Sequence, residues 1–224
     1  MSNYYVWESR RNDMSYALIP KFAPTLKDHG VSFYRGRRFS KEIPELEIIQ
    51  DEGAQGFLTD DLIIKKRRCI VHSQRLIDSL KKAGVDNIDY YPCIIHNTVT
   101  GKRYGSHMAA NILDVVYCLD RDASDLEVDD EEPHEIWYIH NMKLIEDRLG
   151  GIPIFRLGER KNTVLVHEKV KHQVEKDGMT GVVFLPSDGY REYMGYAFNN
   201  PRNVIGTHDD DPDNPIDRFP EDEE

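Results

Sequence analysis

No stretch of the 224-residue chain approaches the run of about 20 apolar residues that a membrane-spanning helix needs. Met1 to Arg11 has no apolar core of a secretory signal, and charge arrives by Glu8. These two absences lead us to expect a cytoplasmic chain. Cysteine is scarce: Cys69, Cys93 and Cys118 are odd in number, widely spaced and set in apolar or strand-like surroundings. That usage points to buried free thiols in a reducing compartment, rather than a disulfide framework or reactive thiols.

Motifs that carry chemistry are missing as well. There is no CxxC, no HxxxH, no GxSxG and neither GxGxxG nor GxxxxGK. His167 and His172 are five residues apart, which does not put them on one helical face. His72 and His167 each come just before a predicted helix, where capping or closing a strand end is the expected role. Gly101 to Gly105, which contains Lys102 and Arg103, reads as a tight hairpin with exposed cations before it reads as a phosphate site. Asp120, Asp122 and Asp125 are close enough in sequence for a metal or acid/base site. With 40 acidic residues in the chain such groupings arise freely, so a solvated loop is the expected state. No catalytic residue, metal ligand or cofactor is assigned.

What the chain does have is unevenly distributed charge. Its net charge is −11, and Asp120 to Glu135 and Thr207 to Glu224 each hold nine acidic residues against one arginine. The rest of the chain is therefore mildly basic. The acidic segments would repel nucleic-acid phosphates and attract a basic protein.

Hydrophobic periodicity gives the fold class. Tyr4 to Trp7 reads as a first strand. Up to residue 61, prolines and glycines interrupt short apolar runs such as Val31 to Tyr34 and Leu46 to Ile49. From Ile63 a strand–helix–strand pattern emerges. Ile70-Val71 precedes a helix that Ser73 can cap, with Leu76, Ile77, Leu80 and Ala83 at helical spacing and Gly84 as its stop. The pattern recurs with Leu165-Val166, Val170, Val174 and Gly178, and the glycine-to-proline spacing is 8 residues in both copies, ending at Pro92 and Pro186. Strands are also expected at Ile88 to Ile95, Ile136 to Ile139, Ile154 to Leu157 and Val164 to Val166. Met108 to Leu119 fits helix or strand. The expected architecture is α+β: a mixed sheet with a few helices, two similar strand–helix–strand units and a loop-rich N-terminal region. It divides into residues 1–61, loop-rich with short strands; 62–200, the α+β body; and 201–224, an acidic disordered tail.

One set of segments has a wider likeness. Tyr90 to Asn97, Tyr104-Gly105, Ala110 to Asp120 and Ser124-Asp125 resemble the core of the Myxococcus-type immunity proteins, family eleven among those of polymorphic toxin systems. Ile154 to Leu157, Val164 to Val166 and Gly181 to Pro186 resemble that family's second half. The likeness covers roughly residues 85–190 and leaves the first 60 residues unaligned. It implies a cytoplasmic protein that binds and neutralises a cognate toxin, with a nuclease the expected toxin; the missing motifs point to a non-enzymatic protein, the hydropathy to no membrane and the charge to no direct nucleic-acid partner. It supplies no catalytic residues, and the oligomeric state stays open. The contact surface expected on charge grounds is Asp125, Glu127, Asp129, Asp130, Glu131 and Glu132, with Trp137 and Tyr138 as aromatic anchors. Core packing is the other reading of those two aromatics. Two alternatives stand beside this one: an enzyme whose metal or acid/base site is dispersed in sequence, and a regulatory scaffold module.

Overall fold

The computed structural model describes residues 2–9, 21–22, 32–33, 35–40, 42–43, 45–50, 58–63 and 69–192. The acidic segment 201–224 lies outside the described residues, as do Val31 and Tyr34. Among the described residues the strands are β1 (Tyr4–Ser9), β2 (Lys21–Phe22), β3 (Leu46–Gln50), β4 (Asp61–Ile63), β5 (Ile70–Ser73), β6 (Ile88–Asn97) and β7 (Arg103–Tyr104). They continue with β8 (His107–Ile112), β9 (Val115–Val116), β10 (Asp125–Val128), β11 (Ile136–Asn141), β12 (Ile154–Leu157), β13 (Val164–His167) and β14 (Val182–Pro186). Among the described residues the α-helices are α1 (Gln74–Lys82) and α2 (Glu168–Lys176), and Glu146–Arg148 forms a short 3-10 helix. The fold is α+β, as the periodicity indicates, and Met108 to Leu119 holds two strands, β8 and the short β9, and no helix.

One sheet has the order β14-β1-β13-β12-β9. A second has the order β2-β3-β6-β8-β5-β4, with β7 paired to β6. The strands β10 and β11 form a separate ribbon. The two strand–helix–strand units are β5-α1-β6 and β13-α2-β14. Each closes around a central strand antiparallel to both its flanks, β8 in the first and β1 in the second. The registers coincide. Ala110 stands opposite Ile70 and Tyr90, and Val6 stands opposite Leu165 and Leu185 one residue along the equivalent strands. The central strand follows its unit in the chain in one half and precedes it in the other.

The helices form for local reasons. Ser73 Oγ accepts from Leu76 N at 3.2 Å, and Leu76, Ile77 and Leu80 bury one face of α1. His167 Nδ1 accepts from Lys169 N at 3.2 Å, and Val170 and Val174 bury the face of α2. Gly84 and Gly178, at φ +80° and +65°, turn the chain out of each helix in a left-handed conformation. The structural match therefore pairs Ser73 with His167, not His72 with His167. His72 lies one residue earlier, inside β5, and is buried rather than capping.

Both helices sit between the sheets. Trp7, Ile70, Leu76, Leu80, Ile112, Val166, Val170 and Phe184 join in one core drawn from both sheets and both helices. A second core covers the far face of the β1 sheet, where Tyr4, Val6, Phe155 and Leu165 meet Ile136, Ile139 and Met142. A third covers the far face of the other sheet, around Phe33, Ile48, Val71 and Ile95. Cys69, Cys93 and Cys118 are buried free thiols.

Candidate functional site

The acidic segment, expected as a loop, contains a strand. In β10, Asp125 and Glu127 are exposed while Leu126 and Val128 pack against the second core. This is a period-two pattern that the surrounding carboxylates conceal. The partner strand β11 buries Ile136 and Ile139 on the same side. The ribbon is thus seated on the β1 sheet by its apolar face and turns its acidic face outward.

The ribbon's register places Asp125 opposite Asn141, Leu126 opposite Ile139, Glu127 opposite Tyr138 and Val128 opposite Ile136. Trp137 and His140 are the extra residues of two bulges in β11. Trp137 is 49% exposed, Tyr138 is partly buried, and His140 Nε2 lies 3.4 Å from Glu127 Oε2. Trp137 is therefore a surface residue and not part of the core. At the tip, Asp129 is half-buried, and its Oδ1 accepts from Glu131 N and Glu132 N at 2.8 and 2.9 Å. Asp130, Glu131 and Glu132 are exposed. Arg121 Nη2 donates to Pro133 O at 2.5 Å and ties the tip back.

All eight residues expected at the contact surface thus lie on one ribbon and its tip. Beside them, Glu132, His134 and Glu135 bring three possible metal-ligand atoms within 4.8 Å of one another, all on exposed side chains. At the other end of β11, Lys143 Nζ donates to Asp188 Oδ1 at 2.5 Å across a polar cavity of about 200 Å³ lined also by Ser2, Glu146 and Ser187.

An acid/base set that the sequence did not reveal lies elsewhere, between the two sheets. Trp7 Nε1 donates to Asp61 Oδ2 at 2.8 Å, His72 Nε2 is 3.6 Å from Asp61 Oδ1, and His72 Nδ1 is 3.2 Å from the Tyr90 hydroxyl. Trp7 stacks on His72 with ring centroids 5.6 Å apart. Burial, with the neighbouring His107, pushes the His72 pKa down to about 3, and burial beside Asp61 pushes the Tyr90 hydroxyl up. An imidazole held neutral and a phenol held protonated are poorly matched to proton transfer near neutral pH. Trp7, Asp61 and His72 are each at most 2% exposed and Tyr90 is partly buried, and the set acts as a polar tie between β1, β4, β5 and β6. Sequence spacing could not show it, because it draws on residues 7, 61, 72 and 90.

Residues 6–188 match the Immunity protein family (Imm11). The match covers most of the chain, which belongs to that family. It takes in β1 from Val6 onward, which the likeness read from residues 85–190 left out. Comparison with curated proteins finds no match. Membership indicates an immunity function and, in general terms, a toxin as partner.

Proposed function

We propose that the chain neutralises a cognate bacterial toxin by binding it in the cytoplasm, and that the outward face of the β10-β11 ribbon with its acidic tip is the surface that covers the toxin. The observation that carries this reading is the ribbon itself. It is anchored by buried Ile136 and Ile139 and presents Asp125, Glu127 and exposed Trp137 on the opposite side. Occlusion needs a complementary surface held in place before contact, and a ribbon with a packed apolar face loses little freedom on binding. An acidic surface speeds encounter with a basic one and rejects partners of like charge. A nuclease fits as the toxin, because carboxylates on the ribbon would take the place of nucleic-acid phosphates in its basic groove. Neutralisation on this account is by occupancy, without turnover. It is tested by co-expressing the chain with the toxin domain encoded beside it and scoring survival and co-purification. Rescue together with a stable complex supports the reading. A toxin that neither binds the chain nor is neutralised by it overturns the reading.

A further inference from the structure

The two edges of the ribbon differ. The outer edge of β11 is occupied: Ile139 N donates to Glu192 Oε2 at 3.3 Å, Glu192 N donates to Ile139 O at 2.9 Å, and Arg191 Nε donates to His140 O at 3.0 Å. Arg160 Nη1 also donates to Ile136 O. These bonds fix which way the backbone faces. Ile139 turns its N–H and C=O away from β10, so Leu126 opposite it belongs to a non-hydrogen-bonded pair and turns its own N–H and C=O away from β11. Val128, two residues on, faces the same way. Among the described residues, no hydrogen bond covers this outer edge of β10.

An open strand edge is a template for another strand. Here the charges around it select what can pair. A second copy of the chain would bring Asp125 and Glu127 against the same acidic side chains. The chain's own segment Thr207 to Glu224 carries nine acidic residues against one arginine and is repelled in the same way. The charge complement of this edge is an extended segment with lysine or arginine at alternate positions. Its cations would lie beside Asp125 and Glu127, and its intervening side chains beside Leu126 and Val128.

We infer that the outer edge of β10 binds a basic, extended segment of the toxin by strand addition, through the backbone N–H and C=O groups of Leu126 and Val128. This rests on the neutralising role proposed above and specifies its binding mode. Main-chain pairing supplies the affinity and the flanking carboxylates supply the selection.

The test uses the full chain with the toxin domain encoded beside it. In the free chain, the Leu126 and Val128 amides exchange rapidly with solvent. In the complex, their exchange slows by about ten-fold or more. Leu126→Pro removes one of the two outward N–H groups and leaves the β10-β11 ladder in place, because proline is tolerated where an edge N–H faces solvent. Leu126→Ala removes the same packing but keeps the N–H. The expected result is that Leu126→Pro binds about ten-fold more weakly than Leu126→Ala, at matched melting temperature. Equal affinity of the two variants, with unprotected amides, overturns strand addition. If Asp125→Lys and Glu127→Lys nevertheless weaken that complex, the ribbon remains the contact surface and only this mode of pairing fails. If no complex forms at all, the neutralising role falls and strand addition falls with it.

Discussion

The indole N–H of Trp7 donates to the buried carboxylate of Asp61 at 2.8 Å and so joins β1, an interior strand of one sheet, to β4, an edge strand of the other. The same indole stacks on His72 and meets Phe184 edge-on at 5.3 Å. Trp7→Phe keeps much of the ring contact and removes the donor. The expected loss of stability is about 1–3 kcal/mol, the cost of a buried acceptor losing its bond. A denaturant midpoint unchanged from the parent chain would show that the bond does not tie the sheets together.

The same cluster predicts acid sensitivity. His72 is neutral in the fold with its pKa pushed down to about 3 by burial and then by His107, against an ordinary value of 6.5. Burial lowers His107 as well. The unfolded chain therefore takes up protons that the folded chain refuses. Stability is complete above pH 6.5 and declines as the pH falls from there towards 3. Asp60 adds to this at the acid end. Burial pushes its carboxyl up, but hydrogen bonds from Ser73 and Thr180, and the charge of Arg75, together hold it below its ordinary value of 3.8. Its contribution is lost as the pH falls through that lowered value. His72→Gln should flatten the slope of unfolding free energy between about pH 6.5 and 4.5. A parent protein with no slope in that window would contradict the burial of a neutral imidazole.

Gly181 marks a close approach between the halves. Its φ is +85°, and a Cβ there would lie 2.4 Å from Asp61 O and 2.6 Å from Thr59 Oγ1. Gly181→Ala combines backbone strain with a clash against main chain, and it should cost about 2–4 kcal/mol. Gly150→Ala is the comparison, since it has a similarly positive φ of +57° but nothing within 4 Å of the added atom. Thermal unfolding of the two variants separates them, and equal losses would mean that the clash is relieved at no cost.

Trp137 separates binding from folding. It is 49% exposed and occupies a bulge. Trp137→Ala should leave the melting temperature nearly unchanged and weaken the toxin complex by about 2 kcal/mol, as loss of an aromatic anchor does. A large drop in melting temperature with intact affinity would make Trp137 a packing residue after all.

The repeated unit was legible because its signals are local: Leu76 and Leu80, Val170 and Val174, the glycine that ends each helix, and the proline eight residues after it, Pro92 inside β6 and Pro186 at the end of β14. His72 and His167 both stand near the start of a helix and look equivalent in sequence, but the capping geometry matches Ser73 with His167. β10 was hidden by composition. Its apolar positions are only Leu126 and Val128, set among carboxylates whose alternation reads as a charged loop. The place of β1 was invisible for a different reason. A six-residue strand that pairs with β13 and β14 is fixed by contacts far along the chain, and no local pattern encodes that partner. The acidic residues proposed for the contact surface were nameable from charge alone, but the ribbon's register depends on two bulges that no spacing predicts.

The most direct measurement is the binding rate and affinity of the purified chain for the toxin domain encoded beside it, comparing the parent with a variant in which Asp125, Glu127, Asp130 and Glu131 become lysine. All four side chains are exposed, so the fold should survive the change. The account predicts a stable parent complex whose association rate falls sharply in the variant, more so at low salt, and whose protection of co-expressing cells is lost. An association rate, an affinity and a protection all unchanged by the four reversals would contradict it.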